Sequence, residues 1–534
     1  MRRFNVTGLC IPEEDYMVDI SGKLKQIMEL IDGGSYFTIN RARQYGKTTT
    51  LSMIQRTLPE EYICARISFE RLGNESFASP EVFCQELIGL VQSALEFSEV
   101  SDEYKVGWVD EHVTTFSKLS KHITKMCKGK KLVLMIDEVD KTSNNRVFLH
   151  FLGVLRDKFL LRKEGMDYTF HSVVLAGVHD IKNIKLKMIS ESSYEPSPEE
   201  NKLYNSPWNI AADFEVDMSF DTAEIATMLS QYEADHGTGM DIASISDEIH
   251  SYTGGYPYLV SRICKHIDEK LGQDWTIDGV QGAVRIVLKE ENTLLVDLFK
   301  NLENDKKLYN LMYDVLIIGK QRAYAISSPT VKTAAMYGII KETEAGIAVS
   351  NKIFELAICS HFIAKDEEAE DKRVEGVLQH DVAKSGRFDM ELCLRKFASH
   401  YAELFSERDY GFLESHGRLL FLSYLAPLIN GQGFYHIESQ FTDLRRMDIV
   451  VDFGQDQFII ELKLWRGETR HEEAYEQLLG YMDSKNATAG YLLTFDFRKG
   501  EGNSPRAEWV DFSGKRIFDV VVCGRRVDQI PQRV

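Results

Sequence analysis

The chain has 534 residues, 44% of them hydrophobic and 27% charged, with a formal net charge of −19. That length exceeds what one core supports and calls for two to four domains, while the acidic balance argues against broad nonspecific nucleic-acid affinity and leaves room only for a local basic groove. No apolar run of roughly 18 residues is present to cross a membrane, and the eight cysteines form no C-x-x-C pair, so neither a zinc nor a disulfide framework is expected.

The N-terminal MRRFNVTGLCIPEED lacks the apolar core of a signal peptide, and scattered thiols fit a reducing compartment, so the expected location is cytoplasmic. Tyr16 to Leu30 lead in as a helix. Tyr36 to Ile39 read as a short buried strand, Arg41 to Tyr45 as a loop, and Gly46, Lys47 and Thr48 open a helix running through Leu51, Ile54 and Leu58. Strand, loop and helix in that order aim backbone N–H groups and the positive end of a helix dipole at an anion. Lys47 is expected to reach the β and γ phosphates of ATP and Thr48 to offer its hydroxyl to Mg²⁺. Arg43, Gln44, Tyr45, Gly46 and Thr49 belong to the same nucleotide-binding turn. Arg41 stands where the G-x-x-x-x-G-K-[ST] pattern has its first Gly.

Tyr62 to Phe69 form a second strand. Pro80 to Phe97 form a helix with Val82, Phe83, Leu87, Ile88 and Val91 on one face, and Phe116 to Met126 form another. Leu132 to Ile136 are wholly apolar, as a central parallel strand is, and end in Asp137 and Glu138. Acids at the carboxyl end of such a strand are placed for ligand chemistry: Asp137 to hold Mg²⁺, Glu138 to polarise the attacking water. A helix over Asn145 to Leu161 and a third buried strand over Ser172 to Gly177 complete an alternation that gives a doubly wound parallel α/β sheet. His179, just after that strand, is either a γ-phosphate sensor or a structural loop residue. Arg156 and Arg162 are either arginine fingers within an oligomer or helix-surface charges. Lys185 to Ser206 read as an exposed loop.

From Asp221 the pattern turns helical. Asp221 to Tyr232, Ile242 to Ser251 and, after the turn Thr253 to Pro257, Tyr258 to Leu271 form a helical lid. Lys306 to Gly319, Ser327 to Gly338, Ile339 to Glu344 and Ile347 to Ser350 read as helix, helix, strand, strand, a winged-helix pattern of the kind that serves protein contacts more often than DNA. The charged run Lys365 to Glu375 marks a boundary.

The C-terminal part carries a second constellation. Ile449 to Phe453 and Phe458 to Leu462 form a hairpin around Gly454 to Gln457. It places Asp448 at one strand end beside Glu461 and Lys463, which share a face. Asp448 and Glu461 suit Mg²⁺ as hard oxygen ligands, the Leu462 carbonyl completes the set, and Lys463 orients the water that attacks a phosphodiester. A helix over His471 to Tyr481 follows, with Gln477 and Tyr481 on one side, then a buried strand Ala489 to Phe495. Glu414, in a helix Phe412 to Leu428, and Glu438, in a strand Tyr435 to Gln440, compete as a third acid. Arg445, Arg446, Arg466, Arg470, Arg498 and Lys499 offer a local basic groove for nucleic acid, DNA before RNA.

Taken with YMVDISGKL, RARQYGKTT, LVLMIDEVD, SPWNIA, TGGYPYLV and VSNKIFE, the first 360 or so residues resemble the AAA-like ATPases among the archaeal-type and STAND-like P-loop NTPases. An Arg at the first Walker Gly, within R-x-R-x-[FY]-G-K-T, is typical there. The last 150 or so residues resemble PD-(D/E)XK nucleases of the RecB-like type through Asp448, Glu461-Leu462-Lys463 and Gln477-x-x-x-Tyr481, with Arg445-Arg446-Met447-Asp448 where relatives carry Gly-Arg-x-Asp. The resemblance implies four segments: an ATPase core (1–215), a helical lid and winged helix (216–364), a linker (365–385) and a nuclease-like α/β domain (386–534). It implies an ATP-regulated, metal-dependent nuclease, with a homo-oligomer through the ATPase part. The alternative is a switch or adaptor whose nuclease-like domain only binds nucleic acid.

Overall fold

The computed structural model describes residues 2–142, 146–178, 208–318, 322–325, 327–344, 346–369, 383–384, 387–404, 414–429, 433–436, 449–465, 467–496 and 506–523. The chain divides into two compact units, 1–283 with 336–338, and 284–335 with 339–534. The boundary between these units falls inside the segment 216–364 read from the sequence, so the two divisions differ.

The first unit is built on a four-stranded sheet, β1 (Tyr36–Asn40), β2 (Tyr62–Ser68), β3 (Lys131–Asp137) and β4 (Ser172–Gly177), ordered β1-β4-β3-β2. Every neighbouring pair is parallel. β3 and β4 are buried on both faces, which is why they read as unbroken apolar runs. Alternate residues on one face (Tyr36, Ile67, Leu134, Ile136, Val173, Leu175) pack with helices Pro80–Leu95, Phe116–Cys127 and Arg146–Lys163. Phe83, Phe148, Phe151 and Leu155 are fully covered there, each contributing about 1.5–3 kcal/mol of burial. The Trp208 indole N–H donates to Thr38 Oγ1 at 2.8 Å, and Ala212 N–H donates to the Tyr36 carbonyl, so residues 208–212 close the sheet edge beside β1.

The lid helices run Thr222–His236, Ile242–Thr253 and Pro257–Lys270, as the periodicity predicts within a few residues. Asp221 and Glu224 form a reciprocal capping box at the first. Two further helices, Ile277–Lys289 and Thr293–Asn304, were not expected from the pattern. Gly255 has φ +72, and a Cβ there would lie 2.0 Å from the Phe220 carbonyl oxygen. Gly255→Ala is therefore expected to cost about 3 kcal/mol through backbone strain and overlap, and calorimetry would show the first unit melting lower; an unchanged transition would contradict this packing.

In the second unit, helix Lys306–Tyr313 passes into a π-helical turn, Asp314–Ile318. Helix Pro329–Met336 and the antiparallel pair β5 (Ile340–Thr343) and β6 (Gly346–Val349) follow the order helix, strand, strand expected there. Helix Lys352–Ala369 runs into the charged stretch placed in the linker. After a short pair, β7 (Ala383–Lys384) and β8 (Arg387–Phe388), come helices Met390–Leu404 and Glu414–Ile429. A six-stranded sheet follows, ordered β13-β14-β12-β11-β10-β9: β9 (Gly433–His436), β10 (Ile449–Phe453), β11 (Asp456–Leu464), β12 (Ala489–Asp496), β13 (Arg506–Phe512) and β14 (Lys515–Cys523).

The expected hairpin is present with a tighter turn. Phe453 pairs with Asp456, so only Gly454 and Gln455 intervene and β11 begins earlier than predicted. Helix Glu468–Ser484 begins one turn before the expected start. It packs Leu478, Tyr481 and Met482 on one face of the sheet with Ile459 and Leu492. Helix Glu414–Ile429 approaches the other face so closely that a Cβ on Gly417 would meet the Phe495 ring at 2.4 Å. This helix also carries Arg418, almost wholly buried, whose guanidinium donates to the Ile317 carbonyl of the π-helical turn at 2.9 Å.

Candidate functional site

At the carboxyl ends of β1 and β3 the first unit gathers the predicted nucleotide residues. Gly46 (φ 74) turns the chain into helix Lys47–Thr57, and Gln44 (φ 57) is left-handed as well. Lys47 is buried, and its Nζ donates to the carbonyls of Arg41 (3.0 Å) and Ala42 (2.9 Å). Burial pulls the Lys47 ammonium below its ordinary range, opposed by Glu138, Asp140 and Asp137. The Thr48 hydroxyl donates to Asp137 Oδ2 at 2.7 Å, so the two residues assigned to Mg²⁺ already face each other across the helix and β3. A hydroxyl and a carboxylate oxygen at that spacing fit a hard divalent cation.

Glu138 has φ 57, and its backbone N–H donates to Asp137 Oδ1. Burial, and then the Asp137 charge, hold the Glu138 carboxyl above the usual carboxylate range. A carboxylate kept short of full stabilisation is a better proton acceptor for an attacking water.

The remaining loop residues divide between the expected site and its supports. The Tyr45 hydroxyl pairs with Ser219 Oγ at 2.7 Å, and its ring meets Tyr256 edge-on at 4.5 Å. The Tyr256 hydroxyl in turn donates to the Arg43 carbonyl. Thr49 Oγ1 accepts the Cys10 N–H at 3.3 Å, which ties the helix start to the N-terminal segment. Arg41, at the position of the first Walker Gly, donates to the Val216 carbonyl at 2.7 Å and lies over the Phe214 ring. The side chain thus braces the loop against the segment leading to the lid, a role the motif pattern could not show. His179 lies outside the described residues.

Arg162 donates to the carbonyls of Phe170 (2.6 Å), His171 and Gly34 (2.6 Å) and covers the Tyr36 ring. These carbonyls precede β4 and β1, at the end of the sheet away from Lys47 and Asp137. Arg162 is a structural tie there.

In the second unit, Glu461 is fully buried on β11 and accepts from Lys463 Nζ on the same face. Leu462 between them is buried on the opposite face. Gln477 Nε2 donates to the Tyr481 hydroxyl at 3.0 Å, as their four-residue spacing predicts. Asp448, Glu438, Arg445, Arg446, Arg466, Arg498 and Lys499 lie outside the described residues, and the Glu414 side chain is likewise not described.

The sequence reading missed a polar group on the same sheet. Glu461 pairs with Leu492 and Leu492 with Asp519, so the two acids stand in one row across three parallel strands. Asp519 Oδ2 accepts from Tyr475 (2.7 Å) and Arg506 and lies 3.0 Å from His471 Nε2. Burial works against the Asp519 charge, but these partners outweigh it and hold the carboxyl below its ordinary range. The i, i+4 spacing of His471 and Tyr475 is a signal that places both on one helix face. Nothing local to them points to an acid 44 residues beyond Tyr475 (519 − 475).

A profile described as an AAA-like domain matches residues 16–358, well over half of the chain. No curated protein matches. Among solved structures, the Walker-type ATPase PABY2304 of Pyrococcus abyssi is similar at 11% identity with a TM-score of 0.44, covering 66% of this chain and 99% of that one. The Aeropyrum pernix ORC2 protein in its ADPNP–ADP complexes is similar at 13% identity with a TM-score of 0.32, covering 67% and 98%. Its ADP form gives 12% identity, a TM-score of 0.32, and coverage of 68% and 96%.

Proposed function

The chain belongs to the AAA-like domain family, and from that premise we propose that its first unit binds and hydrolyses ATP with Mg²⁺ while its C-terminal domain cleaves nucleic acid. The observation that carries the ATPase reading is the Thr48–Asp137 pair beside Lys47. Thr48 and Asp137 would hold Mg²⁺, which supplies charge neutralisation at the phosphates when bound. Lys47 exchanges two backbone carbonyls for phosphate oxygens, Gly46 lets the helix N-terminus approach them, and Glu138 accepts a proton from the attacking water.

In the C-terminal domain, the buried Glu461 next to Lys463 on one face of β11 supports the nuclease reading. Asp448, Glu461 and the Leu462 carbonyl would hold a second Mg²⁺, Lys463 orients the water, and Gln477 flanks them. The partner is a nucleic acid, DNA first, and the ATPase part forms a homo-oligomer. Among the described residues no helix is long and apolar enough to cross a membrane. A second reading, a nucleotide-dependent switch with a binding-only C-terminal domain, draws support from the winged-helix region: its helix Lys352–Ala369 packs on helix Glu414–Ile429 and serves an internal contact.

The test is a panel of plasmid, linear and single-stranded DNA and RNA with Mg²⁺ or Mn²⁺, with and without ATP, run beside an ATP hydrolysis assay. Metal-dependent cutting and ATP turnover are expected. Turnover without cutting on any substrate would leave the switch reading standing and end the nuclease one.

Glu138→Gln gives a further expected result. Hydrolysis falls by about 10²–10⁴-fold with ATP still bound. Because the folded-state pKa of Glu138 is raised, holding it ionised costs stability; that cost is absent below the unfolded carboxylate range and grows as pH rises through the folded value. The variant should therefore melt higher than wild type without nucleotide at about pH 8, and the gain should shrink toward about pH 5. A wild-type hydrolysis rate, or a melting gain that grows on acidification, would contradict the assignment.

A further inference from the structure

We propose that Asp140 is a positioning residue for ATP hydrolysis, joining the acidic strand to the end of β4 and, through Gly177, to the phosphate loop. This rests on the ATPase reading and adds to the site a residue outside the Lys47, Thr48, Asp137 and Glu138 set.

β4 lies between β1 and β3, so its carboxyl end separates the phosphate loop from Asp137 and Glu138. Three contacts meet there. The Arg41 N–H donates to the Gly177 carbonyl at 3.1 Å, so the loop leaves β1 tied to the last residue of β4. The Val178 N–H donates to the Asp140 carboxylate. A Cβ on Gly177 would lie 2.8 Å from Asp140 Oδ1, closer than real Cβ atoms come, so the backbone of Gly177 is flush against that carboxylate.

Asp140 is held from its own side as well. It lies in the 3₁₀ turn Val139–Thr142, next to the fully buried Val139 and two residues beyond the left-handed Glu138. The carboxylate thus sets the spacing between the water-polarising Glu138 and the β4 end, and through Gly177 the spacing to the loop that carries Lys47. Lys47 feels the charge of Asp140 alongside those of Glu138 and Asp137. Misplacement by even about 1 Å costs an enzyme of the order of 10²-fold in rate. The carboxylate acts through the backbone it holds and touches no reacting atom. A side chain that only capped β4 would affect stability and leave the balance between nucleotide affinity and turnover alone.

The experiment compares wild type, Asp140→Asn, Asp140→Ala, Gly177→Ala and the Asp140→Ala/Gly177→Ala double variant. ATP turnover is measured together with the affinity for a fluorescent ATP analogue. Asp140→Asn is expected to lower kcat by about 10-fold or more with affinity within about threefold of wild type. Gly177→Ala should do the same, because its methyl group meets the carboxylate. In the double variant the methyl group should cost nothing beyond Asp140→Ala alone, the non-additivity of groups in contact. Wild-type kcat in Asp140→Asn, or independent effects in the double variant, would overturn the proposal. Wild-type protein that fails to turn over ATP would count against the ATPase reading instead. Melting temperatures then decide the geometry: Gly177→Ala should lower them when Asp140 is present and not in Asp140→Ala, and equal losses in both backgrounds would overturn the contact.

Discussion

Lys47→Ala is expected to weaken ATP binding by at least ~100-fold and to abolish measurable turnover. The ammonium is buried, donates to the backbone carbonyls of Arg41 and Ala42, and feels the charges of Glu138, Asp140 and Asp137. Two neutral acceptors are weaker partners than phosphate oxygens, so the exchange on binding is favourable, and an alanine has nothing to exchange. Lys47→Arg should fare little better, because a planar fork cannot fit where a point charge reaches between two adjacent carbonyls. Removing the cation also takes away a positive charge that Glu138, Asp140 and Asp137 feel, so the nucleotide-free variant should melt below wild type. Titration with a fluorescent ATP analogue and a turnover assay check both claims. Wild-type affinity in Lys47→Ala would mean that this loop is not the nucleotide site.

Glu461→Gln is expected to abolish metal-dependent cleavage, by about 10²–10⁴-fold, while ATP turnover and nucleic-acid binding persist. The substitution keeps the shape of a fully buried side chain and removes the charge that Lys463 pairs with. Lys463→Ala is the harsher change. It strands a buried carboxylate, a loss of about 3–5 kcal/mol when a buried pair is broken from one side, so lost cutting there could be lost folding. Lys463→Met keeps more of the side-chain volume and removes the ammonium, and circular dichroism on each variant separates the two causes. Cutting at the wild-type rate in Glu461→Gln would exclude this row of β11 as the centre. No cutting by wild type, with nucleic acid still bound, would favour the binding-only reading.

Much of the first site was legible because its chemistry is local. Gly46, Lys47 and Thr48 are consecutive, and β3 announces itself as a doubly buried run that ends in two acids. Arg41 looked like a broken motif because its partners, the Val216 carbonyl and the Phe214 ring, come from more than 170 residues away (216 − 41 = 175; 214 − 41 = 173). Arg162 could not be assigned for a similar reason: its three carbonyls belong to turns that have no sequence signature. The second site was half legible. The E-x-K pair and the Gln477–Tyr481 spacing follow from strand and helix periods, but β13 and β14 went unrecognised. With them went Asp519 and the reason that His471 and Tyr475 face the sheet. Helices Ile277–Lys289 and Thr293–Asn304 were also missed, though each carries an apolar face.

The burial of Arg418 bears on how this chain can be taken apart. The guanidinium reaches from helix Glu414–Ile429 to the carbonyl of Ile317, and Lys352 lies 3.9 Å from Asp452 across the same region. The C-terminal domain is therefore not a cassette that ends at the charged stretch before it. A gene fragment opened at residue 386 would encode a protein in which a nearly wholly buried guanidinium has lost its contact with the Ile317 carbonyl. Recombination that moved such a fragment onto another ATPase would carry the same defect. The smallest transferable piece begins near residue 284, where the second unit begins, and a shuffled or engineered descendant of this protein has to inherit the π-helical turn and the C-terminal sheet together.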